Sequence, residues 1–195
     1  KANRVSDYDP EFNENTEKVI EEGIPDAKQE ALLLEEAMAA YDDGLHSAAK
    51  NSFVELEKRF PSGFFAPFAE LKAADSDFFR EDFIAALPLY EEYLRLHPQH
   101  ESAAYVKYQI ANCYRGQYRG PKQDQSPLYK AIDGYKALLR DHRESVYAAQ
   151  ARRRITEARD RTAEHEAFVA DFYHRQGLSE ASAFRYAQLL KYYPQ

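Results

Sequence analysis

Two histidines in the segment HPQH, His97 and His100, have a spacing that could present two metal ligands from one face of a helix. Pro98 stands between them and breaks the helical geometry that would align both rings. No third ligand lies nearby in sequence, so we expect no zinc site and no other bound metal. The remaining pair, His165 and His174, carries no catalytic motif.

Carboxylate pairs are the next candidates, because general acid–base catalysis often uses two carboxyl groups. In Glu35–Glu36 and Glu91–Glu92 the residues are adjacent in sequence, so on a helix they do not face each other. The sequence contains no nucleophile elbow, phosphate-binding loop, HExxH motif or glycine fingerprint. We therefore expect that the protein is not an enzyme and uses no cofactor.

The segment FPSGFFAPF places four aromatic rings around a proline and a glycine: Phe60, Phe64, Phe65 and Phe68. This is more aromatic area than a turn requires. One interpretation is that the rings seal the junction between two helical repeats. The other is that they form a pocket for a peptide that carries an aromatic side chain.

A local excess of arginine reverses the acidic balance of the chain, at Arg152, Arg153, Arg154, Arg159 and Arg161. Such a run is typical of a solvated helix face. Its alternative is a contact surface for an acidic protein partner.

Composition limits the possible classes of protein. The net charge of −7 argues against nucleic acid and anionic membranes as partners, because both require a basic surface. With 15 Tyr and 12 Phe the 195-residue chain can bury a core, while only 7 Gly and 9 Pro favour helices over many tight turns. The single cysteine, Cys113, excludes an intramolecular disulfide framework.

The elements that must position these residues form an internal repeat. Four segments share an anchor residue at Pro61, Pro98, Arg143 and Pro194, and each has an aromatic residue eight positions earlier: Phe53, Tyr90, Tyr135 and Tyr186. Twelve positions before the anchor the residue is small, at Ala49, Ala86, Ala131 and Ser182. These spacings lie on one face of a helix, so each segment is predicted to be the second helix of a tetratricopeptide-type pair.

We expect an all-α solenoid, a right-handed superhelix of antiparallel helix pairs with the anchor-minus-eight aromatics buried. First helices are predicted near 28–43, 64–80, 101–117 and 145–175, and second helices near 46–59, 83–97, 127–142 and 179–192. Gly44 and Gly177 are expected to end first helices, and Asp82 to cap a second helix. Residues 1–26 are predicted to be an extended leader or tether, and 27–195 a single domain of about four helix pairs.

Beyond the periodicity, the chain resembles the BamD family of outer-membrane β-barrel assembly lipoproteins from about residue 30 to 194. The similarity is carried by repeats such as FREDFIAALPLYEEYLRLHPQHESAAYVKYQIANCY. Its more specific motifs are LHPQH, DQS and HEAFVADFYHRQG, which a helical repeat as such does not require.

The resemblance implies a periplasmic protein held at the outer membrane by a lipidated N-terminal cysteine, which this sequence does not include. It implies two partners, the periplasmic domains of the barrel-forming subunit BamA and unfolded outer-membrane protein precursors. Precursor C-terminal segments are expected at the FPSGFFAPF rings, and Arg185 is expected to contact BamA. Family members carry about five repeats, of which four are visible here.

Two alternatives remain open from the sequence. The chain could be another periplasmic tetratricopeptide adaptor that coordinates cell-envelope processes. It could also be a non-catalytic scaffold domain of an enzyme complex.

Overall fold

The computed structural model describes the backbone of residues 25–193, and this part of the chain is entirely helical. Its eight helices are α1 (Pro25–Asp42), α2 (His46–Arg59), α3 (Ala66–Phe79), α4 (Phe83–Leu96), α5 (Ala103–Gly116), α6 (Ser126–Asp141), α7 (Ala148–Arg175) and α8 (Ser179–Tyr192). Between residues 25 and 193, no helix combines the length and apolar character needed to cross a membrane. Residues 25–193 divide into two compact units, one that ends at His97 and one that begins at Pro98.

The helix positions confirm the predicted all-α fold of helix pairs, with boundary differences of up to three residues. Helix α1 begins at Pro25 rather than near residue 28, since proline is well suited to the first turn of a helix. The last two residues of the predicted leader therefore belong to α1. The rest of that leader, residues 1–24, lies outside the described residues.

All four second helices end in the same way, one residue before the anchor position. The terminal residues Phe60, His97, His142 and Tyr193 have φ between −136° and −125° and ψ between 55° and 62°, and each N–H donates to the carbonyl oxygen four residues earlier. A residue that precedes proline is driven away from helical angles, which accounts for three of these ends. Arg143 replaces proline in the third repeat, and His142 still adopts the same conformation.

The turns inside the first, second and fourth pairs also match one another. Gly44, Glu81 and Gly177 have φ of 75°, 61° and 74°, in the left-handed region. In each turn the following N–H donates to a carbonyl oxygen five residues back, as in Leu45 to Ala40. The predicted cap is confirmed, since the Asp82 side chain accepts a hydrogen bond from the Ala85 N–H at 3.2 Å.

Each unit has its own core, built on the predicted aromatic positions. In the first unit, Phe53 and Leu56 of α2 pack with Leu34 of α1 and Ala69 of α3. In the second unit, Tyr135 and Leu138 of α6 pack with residues of α5 and α7, including Tyr108 and Ala151. The three aromatics Phe53, Tyr90 and Tyr135 are fully buried.

Tyr186, the fourth aromatic of the series, is only partly buried. Among the described helices α8 packs mainly against α7, and its side chains Phe184 and Leu190 are exposed. Phe53 and Tyr135 instead lie in second helices that pack against the first helix of their own pair and the first helix of the next pair.

The loop between α5 and α6 lies against α7. The His165 Nδ1 is 2.6 Å from the carbonyl oxygen of Pro121, the Lys122 ammonium lies 5.5 Å from the Phe168 ring centre, and Arg161 stacks on Tyr118. The inserted residues of the third repeat are therefore held by the long first helix of the fourth.

Candidate partner-binding surfaces

The four rings of the FPSGFFAPF segment occupy different environments. Phe64 is 57% exposed, whereas Phe65, only 1% exposed, is part of the core of the first unit. Phe60 and Phe68 are half-buried, with a cation over each ring: Arg59 at 5.8 Å and Lys72 at 5.4 Å. The four rings therefore do not form one accessible surface, because Phe65 belongs to the core. The accessible aromatic surface is that of Phe64, with the partly covered Phe60 and Phe68.

The backbone that carries Phe64 is fixed by Glu30 of α1. The Glu30 Oε1 accepts a hydrogen bond from the Phe65 N–H at 2.8 Å, and its Oε2 accepts one from the Phe64 N–H at 3.1 Å. A Cβ at Gly63 would collide with this carboxylate, which explains a glycine at that position. The Phe64 and Phe65 rings make an edge-to-face contact with ring centres 5.0 Å apart, so the buried Phe65 ring also supports Phe64.

Burial raises the pKa of Glu30 above its ordinary value, and the two backbone N–H groups partly offset this. Glu30 was not among the site residues predicted from the sequence, although its position in the sequence could have indicated it. It lies on the buried stripe of α1 with Leu34, Ala37 and Tyr41, at spacings of four, three and four residues. An acidic residue on an apolar stripe indicates a specific buried partner.

Arg185 lies on α8 and pairs with a carboxylate of α7. Its Nη1 is 3.1 Å from Glu166 Oε2, and the two side chains are 41% and 21% exposed. The guanidinium keeps further donors for a partner, because one contact uses only part of its fork. The pair holds Arg185 in a defined direction at the surface of the second unit.

An open groove of about 870 Å³ lies between α7 and α8 near their contact at Arg159. Its floor and walls include Ala163, Ala167, Leu189 and Tyr193. The Arg159 side chain donates to the Tyr192 carbonyl oxygen at 3.0 Å and fixes the end of α8 against α7.

The corresponding groove of the preceding repeat shows what such a surface accepts. There, Ala104 and Tyr108 of α5 pack with Leu138 of α6 and with Ala151 and Ile155 of α7. Ala163, Ala167 and Leu189 occupy the equivalent positions in the fourth repeat. The groove of the fourth repeat thus presents small and apolar residues like those that contact the next helix in the third repeat.

The two histidines considered as metal ligands have local partners. His97 Nε2 lies 2.8 Å from Glu70 Oε2, and His100 Nδ1 accepts a hydrogen bond from the Ser102 N–H. Cys113 is buried in α5. Within residues 25–193 no group of three or more potential ligands is placed to hold a metal ion.

Antiparallel helix pairs that repeat in fixed register place the chain in the class of tetratricopeptide-type helical-repeat proteins. The model of the YfiO family, described as outer membrane lipoprotein, matches residues 26–195. The chain belongs to this family.

Named relatives are similar over most of the chain. An outer membrane protein assembly factor BamD from Vibrio cholerae is 28% identical over 181 residues, which cover 88% of this chain and 75% of that protein. The BamD proteins of two Xylella fastidiosa strains are 27% and 26% identical, over 84% and 92% of this chain. The chain spans 59% and 64% of the length of these two relatives.

Proposed function

We propose that the protein is an assembly factor for outer membrane proteins, an adaptor that works at the periplasmic face of the outer membrane. Membership of the outer membrane lipoprotein family and the name of its BamD relatives, outer membrane protein assembly factor, support this. The lipid anchor would be attached at a cysteine upstream of Lys1.

The proposed activity is binding, with two partners. The first unit binds the C-terminal segments of unfolded barrel precursors, which end in aromatic residues. The second unit binds the periplasmic domains of BamA. The observation that carries the first assignment is Phe64, exposed on a backbone that Glu30 and Phe65 hold in place. A pre-ordered aromatic ring binds an apolar side chain without first losing conformational freedom.

A helical surface suits this task for a physical reason. Unfolded barrel strands have unpaired backbone groups that pair readily with any sheet edge. A surface made of helices offers no such edge, so it can hold a strand segment by its side chains without starting aggregation.

Peptide binding tests the assignment of Phe64. We expect a barrel C-terminal peptide with a final aromatic residue to bind the parent chain weakly and the Phe64→Ala variant at least about 5-fold more weakly, as for a central contact residue. Ile84→Ala, which removes an exposed apolar side chain from α4, is the matched control. Equal binding by the parent and Phe64→Ala, with unchanged helicity, would reject the site.

A further inference from the structure

The junction between α6 and α7, residues 142–147, has the same backbone turn as the junction between α2 and α3, residues 60–65. The terminal residues of α2 and α6 have φ of −130° and −136° and ψ of 62° and 55°. In both turns the N–H three residues later donates to the carbonyl oxygen of the terminal residue. These bonds join Gly63 to Phe60 at 2.9 Å and Ser145 to His142 at 3.1 Å. The residue of the second turn that is equivalent to Phe64 is therefore Val146.

Val146 is 84% exposed, the highest value for any large hydrophobic residue that the structure describes, against 57% for Phe64. The equivalent residue between α4 and α5 is Glu101, which is also exposed. The turn itself therefore does not require an apolar side chain at this position. A single exposed valine would carry little weight, but two further features of the same turn support a binding role.

The first feature is an anchored ring directly after Val146. Tyr147 is half-buried, and its ring centre lies 5.4 Å from that of the buried Tyr108, with the ring planes 20° apart. The Tyr105 ring lies 5.7 Å from Tyr147. In the first unit the buried Phe65 follows Phe64 in the same way. Both turns thus present an exposed apolar side chain on a backbone that the next residue ties to its unit.

The second feature is a cation at the anchor position of the repeat. The other three anchors are Pro61, Pro98 and Pro194, whereas the third is Arg143. Arg143 is exposed, and no carboxylate of residues 25–193 lies within ion-pair distance of it. The preceding residue has the same φ and ψ with either anchor, so the turn does not depend on the arginine. Its guanidinium is available to a ligand.

The charge of the second unit favours a negatively charged ligand. Residues 98–195 carry 16 Lys and Arg against 11 Asp and Glu, whereas residues 1–97 carry 10 against 22. A carboxylate at the end of a peptide is therefore attracted by the second unit and repelled by the first. A guanidinium can hold such a carboxylate through two parallel hydrogen bonds.

We propose that the junction between α6 and α7 is a second binding position for the C-terminal segments of barrel precursors. The terminal side chain packs on Val146, and the terminal carboxylate pairs with Arg143. This inference rests on the proposed function, because it assigns the same class of ligand to a further site. Phe64 offers an apolar surface alone, whereas Val146 together with Arg143 distinguishes the end of a chain from an internal segment.

A local fluorescence signal can test this position, because the chain contains no tryptophan. Val146→Trp places a single indole in the turn. A tryptophan-free barrel C-terminal peptide is titrated in two forms, one with a free terminal carboxylate and one with a terminal amide. We expect the free acid to shift the indole emission and to bind about 3-fold or more tightly than the amide at low salt, as for an exposed ion pair. This preference should shrink at moderate salt.

Arg143→Gln in the same chain should remove the preference for the free acid. Arg143→Pro should do the same, since it introduces the anchor residue of the other repeats and keeps the turn. Lys136→Gln removes an equal charge from the exposed surface of α6 and should leave the preference within about 1.5-fold of its original value. A preference that survives Arg143→Gln, or that Lys136→Gln reduces equally, would overturn the proposal.

A peptide labelled at its N-terminal end gives a second measurement that needs no tryptophan. We expect the binding that remains in Phe64→Ala to fall by a further 3-fold or about that in Phe64→Ala, Val146→Ser, as for loss of an apolar contact. Unchanged binding in the double variant would overturn the second position.

The outcomes for the two sites can be told apart. Binding that Phe64→Ala weakens, without an indole response in Val146→Trp, would overturn this inference and leave the proposed function in place. An indole response to the free acid, with labelled peptide bound equally by the parent and Phe64→Ala, would support this inference and reject the assignment of Phe64. A parent chain that binds neither form of the peptide would reject both.

Discussion

The hydroxyl of Tyr90 donates to Asp75 Oδ1 at 2.7 Å in the interior of the second helix pair. Lys72 contacts the other oxygen of the same carboxylate at 2.8 Å, so the buried charge is balanced. The bond recurs at equivalent positions as Tyr135 to Asn112 and Tyr186 to Asp171. In the first pair both partners are apolar, Phe53 and Met38, so hydroxyl and acceptor are present or absent together.

Tyr90→Phe is expected to destabilise the protein by about 1–3 kcal/mol, because Asp75 loses a hydrogen bond at a fully buried position. Tyr186→Phe removes the equivalent hydroxyl from an exposed pair and is expected to cost less than about 1 kcal/mol. Urea unfolding of both variants measures the difference. Equal decreases in the free energy of unfolding would show that burial does not determine how much this hydrogen bond stabilises the protein.

Glu81→Gly is expected to stabilise the protein by about 0.5–1 kcal/mol. Glu81 has a φ of 61°, a conformation that costs a residue with a Cβ about 1–2 kcal/mol. Glycine avoids this cost, but it loses more conformational entropy on folding, which offsets part of the gain. Gly44→Ala makes the opposite change in the equivalent turn and should destabilise by a similar amount. Thermal unfolding decides the matter, and a lower melting temperature for Glu81→Gly would contradict the argument.

The sequence predicted the second helices well because their stripe and their terminal residues repeat in fixed register. Glu81 could not be predicted as the left-handed residue, since its turn contains no glycine to mark it. The length of α7 was predicted, but not which part of it α8 contacts, because this depends on where α8 packs. Phe64 and Phe65 are chemically identical, and only the three-dimensional path of the loop makes one exposed and the other buried.

Glu30→Gln is expected to destabilise the first unit by about 1–3 kcal/mol near pH 5. An amide has one acceptor oxygen for the two N–H groups of Phe64 and Phe65, and its NH₂ opposes the second of them. Glu35→Gln, on the exposed face of α1, is the control and should be close to neutral. Urea unfolding gives both values, and a neutral Glu30→Gln would show that the loop holds its shape without the carboxylate.

The same variant should have a characteristic pH dependence. Because the pKa of Glu30 is raised in the folded state, the folded chain holds this proton more tightly than the unfolded chain. The contribution of Glu30 to stability is therefore complete below its ordinary pKa of 4.5 and declines as pH rises through the raised value. The loss caused by Glu30→Gln should accordingly shrink with rising pH. A loss that grows between pH 5 and 8 would contradict the raised pKa.

Variants of Arg185 can distinguish a local structural role from a role in docking, because its partner within the chain, Glu166, is known. The ion pair is partly exposed, so its loss should cost no more than about 1 kcal/mol of stability. Arg185→Glu is expected to weaken binding of the BamA periplasmic domains by at least about 10-fold, and Arg185→Lys by less, since lysine keeps the charge but not the planar fork. The combined variant Arg185→Glu, Glu166→Arg restores the internal pair with reversed direction. It should regain the stability of the parent but not its affinity. If the combined variant binds as tightly as the parent, the contribution of Arg185 is limited to its contact with α7.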